Sequence, residues 1–325
     1  MAAAEDDKEF KNAYDEYLKA EAGRFQRRSQ RAQQNKFVWL NNSPGEPEPR
    51  CDLRSRIAVI GENGICDEVF DARFAAALAR KGREVIWIHN WKENGISKHD
   101  NSRLLPLFSR RLSHCGSLTF TGFPPQAPVT CRVIFSKELI KYFGRSEEDW
   151  TRNSSVPYIA ASPDLTRTFT ERYRQPGKKI VGVAWKSTGK SGKDALLKNH
   201  RGWEKIFAED RCSFVSLQYG DTQDDINDAR YRYGVEIYHD REIDIMNNLE
   251  AAAAQINACD VIISISTTTA HMAIAMDKKT LLLLPDEPFS HWKFPGMYRS
   301  PNIKKISNLS LDKATLELRE IVDRN

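Results

Sequence analysis

The 325-residue sequence has no unbroken apolar run of membrane length, and its first residues, MAAAEDDKEF, carry neither a basic start nor an apolar core. A spanning helix needs about 20 apolar residues, and a secretory leader needs a positive segment followed by an apolar one. The expectation is a cytoplasmic protein. Cysteine is sparse: Cys51, Cys66, Cys115, Cys131, Cys212 and Cys259 are scattered, with no C-x-x-C pair and no Cys/His spacing of a zinc site. Reduced structural thiols are therefore expected, and neither a metal nor a cofactor is. The excess of one charge sign is also small, since 49 Lys and Arg against 44 Asp and Glu leave a net charge of +5, which does not call for nucleic acid. The segment GENGIC lacks the third glycine of a dinucleotide fingerprint, and DTQDDIND lacks the central glycine and final Glu of a calcium loop.

What is present is apolar content of 40%, enough for two domains of ordinary size. Residues 5–35 form a charged helical pattern with Phe10, Tyr14, Tyr17 and Leu18 at helical spacing, and NNSPGEPEPR follows as a linker. The domain reading is a helical extension and linker over 1–50, a first domain over 51–175 and a second over 176–325. Arg24, Arg27, Arg28, Arg31 and Lys36 cluster in the extension. Such a segment is either a peripheral contact with an anionic membrane surface or a solvated helix face.

The first domain opens with RIAVIGENG, a buried-type strand and turn, then the helix DEVFDARFAAALARKG and a second strand EVIWIHN. This strand, helix, strand unit is the start of a doubly wound α/β sheet, whose ligands bind beyond the C-terminal ends of the strands. Asp67 opens the helix and Glu62 stands in the turn. On position alone, a carboxylate at the helix start caps its free N–H groups. LLPLFSRRL, CRVIFSKELIKYFG and VPYIAASPDL complete the domain, and its end is expected near residues 172–179, where Pro176 and Gly177 precede a new strand.

In the second domain the strand IVGVAW runs into a polar loop, Trp203 to Phe207 begin a helix, and CSFVSLQYGD and GVEIYHD supply further strands. The most informative stretch is AAAQINACDVIISISTTTAHMAIAMDKKTLLLLP. An apolar helix face leads into VIISIS, the length of a buried parallel strand. Thr267, Thr268 and Thr269 then open a small-residue helix carrying His271, and TLLLLP is the next strand. A helix start lined with hydroxyls offers amide donors and the positive end of a dipole, a place for phosphate. The closing segment LDKATLELREIVD is an amphipathic helix.

Several of these residues carry a resemblance. Asp260, Thr267, Ala270, His271 and Pro285, together with Glu62, Gly64 and Asp67, resemble motifs of the GT-B glycosyltransferases related to the ADP-heptose heptosyltransferases (family 9-like) and of the similar domains found beside tetratricopeptide repeats. Weaker matches are Gly182, Trp185, Lys198 and Arg201, then Phe214, Ser216, Leu217, Gln218 and Gly220, and finally Trp292. Ser266 stands where the family usually has Asp, and Cys66 where it has Gly.

The resemblance implies two Rossmann-like domains with a cleft between them, acceptor domain first and nucleotide-sugar domain second, with the terminal helix crossing back onto the first. It implies inverting, metal-independent transfer of a sugar from a nucleotide-diphosphate donor to a hydroxyl of a glycan, lipid or protein. Asp67 would be the base, with Glu62 in reserve and Gly64 shaping the substrate turn. Ser266, Thr267, Thr268, Thr269 and His271 would hold the diphosphate, and Lys198 and Arg201 would neutralise it, with Lys186 either assisting them or standing in a mobile solvated loop. Gln218 and Gly220 would lie near base and ribose, and Trp292 would stack on a sugar or base or anchor its loop.

Two other readings stand beside this one. AWKSTGKS fits a loose phosphate-loop spacing with Lys190 and Ser191 in the Lys and Mg²⁺-ligand positions, which would make the protein a nucleotide triphosphatase or kinase. The departures at Ser266 and Cys66 also allow a non-catalytic binder of sugar nucleotides.

Overall fold

The computed structural model describes Asn12 and Asp15 and residues 57–61, 64–80, 84–89, 91–92, 95–96, 101–112, 118–122, 132–146, 148–150, 157–187, 202–286, 292 and 300–324. Asn12 and Asp15 are helical and exposed. The basic cluster from Arg24 to Lys36, and with it the membrane-contact expectation, lies outside the described residues. The chain divides into two compact units, one of residues 1–158 with 289–299 and one of residues 159–288 with 300–325.

The first unit is built on a parallel sheet. Strands β1 (Ile57–Ile60), β2 (Val85–His89), β5 (Leu118–Gly122) and β6 (Arg132–Phe135) lie in the order β5-β2-β1-β6, while β3 (Trp91–Lys92) and β4 (Gly95–Ile96) make a separate antiparallel pair. Ile57 pairs with Val85 on one side and Arg132 on the other. Every residue of β1 is buried, which is why IAVI shows no alternation. After the turn come helix α1 (Ile65–Asp71), a 3₁₀ turn (Ala72–Phe74) and α2 (Ala75–Arg80), and later α3 (Leu105–Leu112) and α4 (Ile140–Phe143). An aromatic cluster fixes α1 to the end of the unit: Phe74 meets Trp150 edge-on at 5.2 Å and stacks near Phe143 at 6.3 Å. Arg73 is buried among these rings, its guanidinium 4.6 Å from the Phe70 centroid and 5.0 Å from Trp150, with Nε donating to the Phe70 carbonyl at 2.9 Å.

The second unit carries a six-stranded parallel sheet. Its strands are β7 (Lys179–Ala184), β8 (Cys212–Ser216), β9 (Ile237–Tyr238), β10 (Val261–Ile265), β11 (Thr280–Leu283) and β12 (Ile303–Ile306), in the order β12-β11-β10-β7-β8-β9. This is the doubly wound order, with the direction of winding reversing between β7 and β10. Around the sheet lie α5 (Pro163–Tyr173), α6 (Trp203–Phe207), α7 (Gln223–Tyr233), α8 (Leu249–Ala258), α9 (Thr268–Ala275) and α10 (Leu311–Asp323). On β12 the residues alternate in blocks, with Ile303 and Ile306 buried and Lys304 and Lys305 exposed.

One expectation is corrected by this arrangement. The unit boundary falls between Tyr158 and Ile159, not near residues 172–179. Helix α5, capped by Ser162 and opened by Pro163, belongs to the second unit: Phe169 and Tyr173 are buried, and the Tyr173 hydroxyl accepts from Gln255 Nε2 of α8 at 2.7 Å. The terminal helix packs within the second unit. Leu311, Ala314, Leu318 and Val322 recur at helical spacing and share one core with Trp203, Ile206 and Leu283. Burying Leu311 and Leu318 contributes about 1.5–3 kcal/mol each. Ion pairs Lys205–Asp312 and Arg211–Asp323, both at 2.6 Å, line the exposed margin of this contact.

Candidate functional site

In the first unit the strand order turns around between β1 and β6, so the segments leaving these two strands flank the position where doubly wound sheets take their ligands. Gly61 leaves β1, and a Cβ there would lie 2.6 Å from Cδ of the buried Glu68, whose carboxylate would have to shift. The N-cap of α1 is Gly64, in extended conformation and with no side-chain cap. Asp67 is thus inside the helix and not its cap. Its carboxylate points to the segment leaving β6, where Lys137 Nζ donates to Asp67 Oδ1 at 2.7 Å. The neighbouring Ser136 Oγ donates to Asp71 Oδ2 at 2.5 Å. The Asp67 side chain is 32% exposed and that of Lys137 8%. Glu62 lies outside the described residues.

In the second unit the corresponding reversal sets the end of β7 beside the end of β10, with β8 next to β7. Gln218, just past β8, joins these turns. Its Oε1 accepts from the amides of Trp185 (2.9 Å) and Lys186 (2.8 Å), and its Nε2 donates to the carbonyls of Lys186 (2.9 Å) and Tyr219 (3.3 Å). All four hydrogen-bonding positions of the amide are engaged within the protein, so Gln218 organises the turn rather than reaching outward. Gly220 follows with φ of 80°, a left-handed conformation. Beyond it, Lys186 Nζ donates to Asp225 Oδ2 and to the Asp221 carbonyl, both at 2.7 Å, and Trp185 Nε1 donates to the same Asp225 oxygen at 3.1 Å. Asp225 is buried, and the Lys186 charge is matched by it.

Helix α9 starts where β10 ends. Thr267 is its N-cap, Oγ1 accepting from the Ala270 amide at 3.4 Å and lying 3.1 Å from Ser264 Oγ. Thr269 Oγ1 donates to the Leu217 carbonyl at 3.2 Å, tying α9 to β8. Thr267, Thr269 and His271 are buried, whereas Ser266 and Thr268 are half-buried at the mouth of the helix. The stretch read as a diphosphate grip therefore divides into buried residues that build the turn and half-buried residues at its mouth. Lys198, Arg201, Lys190 and Ser191 lie outside the described residues. Trp292 is fully buried.

The sequence reading missed Lys137, Ser136, Asp71 and Asp225, each a partner distant in the chain. It also missed two buried polar atoms, Thr222 Oγ1 at the N-cap of α7 and His239 Nδ1 just after β9, which have no hydrogen-bond partner among the described residues. Burial, then the Arg241 charge, hold His239 below the usual imidazole range. Among the described residues no group of three or more His, Cys, Asp and Glu is placed to hold a metal ion.

No protein-family model matches the chain. FlbA of Caulobacter vibrioides is 34% identical over 109 residues, which are 33% of this chain and 18% of FlbA, so the match spans less than a fifth of that protein. Among solved structures, a glycosyl transferase family 9 protein from Veillonella parvula superposes with a TM-score of 0.51 at 11% identity, covering 82% of this chain and 89% of that one. The E. coli ADP-heptose lps heptosyltransferase II gives 0.50 at 13% identity, over 83% and 99%. With a parallel Rossmann-like sheet in each unit and superpositions that cover 82% and 83% of the chain, the protein has a GT-B fold.

Proposed function

We propose that the protein is a glycosyltransferase, an inverting and metal-independent enzyme that moves a sugar from a nucleotide-diphosphate donor to a hydroxyl acceptor in the cytoplasm. The observation that carries this reading is that both groups of candidate residues fall at the strand-order reversal of their own sheet: Asp67 beside β6, and the α9 start beside β7. A carboxylate in one unit and a helix N-terminus in the other are the complementary parts that glycosyl transfer needs. The fold is shared with proteins whose names record glycosyl and heptosyl transfer, which supports a nucleotide-sugar donor.

In this mechanism Asp67 takes the proton of the acceptor hydroxyl as its oxygen attacks the anomeric carbon, and the bond to the diphosphate breaks on the opposite face. Charge developing on the leaving diphosphate is received at the start of α9, by its amides, the half-buried Ser266 and Thr268 and the helix dipole. Thr267, Thr269 and Gln218 hold that turn in shape. Thr222 and His239 would meet the polar atoms of the nucleoside. The acceptor is a glycan, lipid or protein hydroxyl, and the basic N-terminal segment would bring the enzyme to anionic lipid.

The test is a melting-temperature screen with ADP-, GDP- and UDP-sugars in EDTA, followed by turnover of Asp67→Asn. At about 100 times Kd a ligand adds about 2.7 kcal/mol, a shift of several degrees. One sugar nucleotide should stabilise both forms, and only the wild type should turn it over. Stabilisation by ATP with Mg²⁺ alone would favour the triphosphatase reading. Binding without turnover by either form would leave a non-catalytic sugar-nucleotide binder.

A further inference from the structure

We infer that Lys137 is a positioning residue for the Asp67 carboxylate, one half of a staple by which consecutive residues leaving β6 grip two carboxylates of α1. Asp67 and Asp71 are four residues apart, hence on one face of the helix. Ser136 holds Asp71 and Lys137 holds Asp67. Ser136, Asp71 and Lys137 are buried, and Asp67 is the member with a third of its side chain in solvent. A buried ammonium strongly disfavours separation from its counter-charge, so Lys137 restricts the rotamers open to Asp67. The contact engages Oδ1, and no bond to the second carboxylate oxygen is made among the described residues, so that oxygen is the one assigned to the hydroxyl proton. The inference rests on the proposed role of Asp67 as base, and it goes further by naming what aims that base.

The staple is more than a tie between α1 and β6 only if turnover responds to it separately from stability. Nucleoside diphosphate release from ADP-, GDP- and UDP-hexoses is to be measured for wild type, Lys137→Met, Lys137→Arg and Asp67→Asn. Misaiming a catalytic group lowers kcat by about 10- to 100-fold, so Lys137→Met should do so with donor KM within about twofold of wild type, and Lys137→Arg should recover most of the rate. Should Lys137→Met not fold, Lys137→Gln, which keeps a donor without the charge, is read in the same way. Wild-type kcat in Lys137→Met, beside an inactive Asp67→Asn, overturns the inference and leaves the base assignment standing. Loss of rate in step with melting temperature, with no recovery in Lys137→Arg, overturns it as well. Wild-type turnover in Asp67→Asn, or no release from any donor by the wild type, removes the base reading and the inference together.

Discussion

Replacing Gln218 by Met isolates the contribution of a single buried amide. Methionine fills nearly the same volume, so the loss is of hydrogen bonds and not of packing. The substitution strands the Trp185 amide, whose residue is fully buried, and removes partners from the Lys186 amide and carbonyl and from the Tyr219 carbonyl. An unsatisfied buried backbone donor costs about 1–3 kcal/mol, while groups on the half-buried Lys186 regain part of the loss from water. The total comes to about 2–4 kcal/mol. For a unit of roughly 150 residues this lowers the melting temperature by about 5–15 °C. Urea unfolding followed by tryptophan fluorescence reads the change, and thermal shift with the sugar nucleotide that binds reads the ligand side. If Gln218→Met kept wild-type stability and lost nucleotide binding, the amide would be facing the ligand and the clamp described above would be refuted.

Other outcomes follow from single contacts. Gly182→Ala should cost about 1–3 kcal/mol, because the new Cβ would lie 2.3 Å from Leu217 Cδ1 and 2.9 Å from Cys259 Sγ in a packed core; a neutral urea midpoint would show that the core yields. Gly220→Ala should cost about 1 kcal/mol through backbone conformation alone, since the space there is open and φ is positive; equal stability would contradict that φ. Burial pushes the Cys259 thiol up to about 12. Between the ordinary thiol range and that value the unfolded chain has lost a proton that the folded one keeps, so stability falls as pH rises, by about 1.4 kcal/mol per unit. Cys259→Ala should flatten the urea midpoint against pH above about pH 9, and parallel slopes for the two proteins would refute the assignment.

The strands IAVI, VIISIS and TLLLLP were legible because burial on both faces leaves an unbroken apolar run, and they are β1, β10 and β11. The last helix was legible from its stripe of Leu311, Ala314 and Leu318, but a stripe does not say which sheet it meets. The boundary was misplaced for a physical reason. Pro176 and Gly177 mark the turn between α5 and β7 inside one unit, Gly177 with φ of 72°, while the true boundary runs through Tyr158 and Ile159, buried apolar residues without punctuation. At the candidate site, Asp67 and the threonine turn were found by local pattern. Their partners were not, because Lys137 and Asp225 come from distant segments and an Asp, Lys or Gln has the same letter whether it faces a ligand or closes a turn.

The six-stranded sheet ends on one side at β9, only two residues long, and on the other at β12, whose middle residues Lys304 and Lys305 stand in water. A short rim offers too few backbone groups to seat a strand from another molecule, and paired lysines repel one that tries to lie alongside. Crowded copies therefore have no route to joining sheet to sheet through either rim, and a strongly parallel, largely apolar architecture stays closed to fibrous growth there.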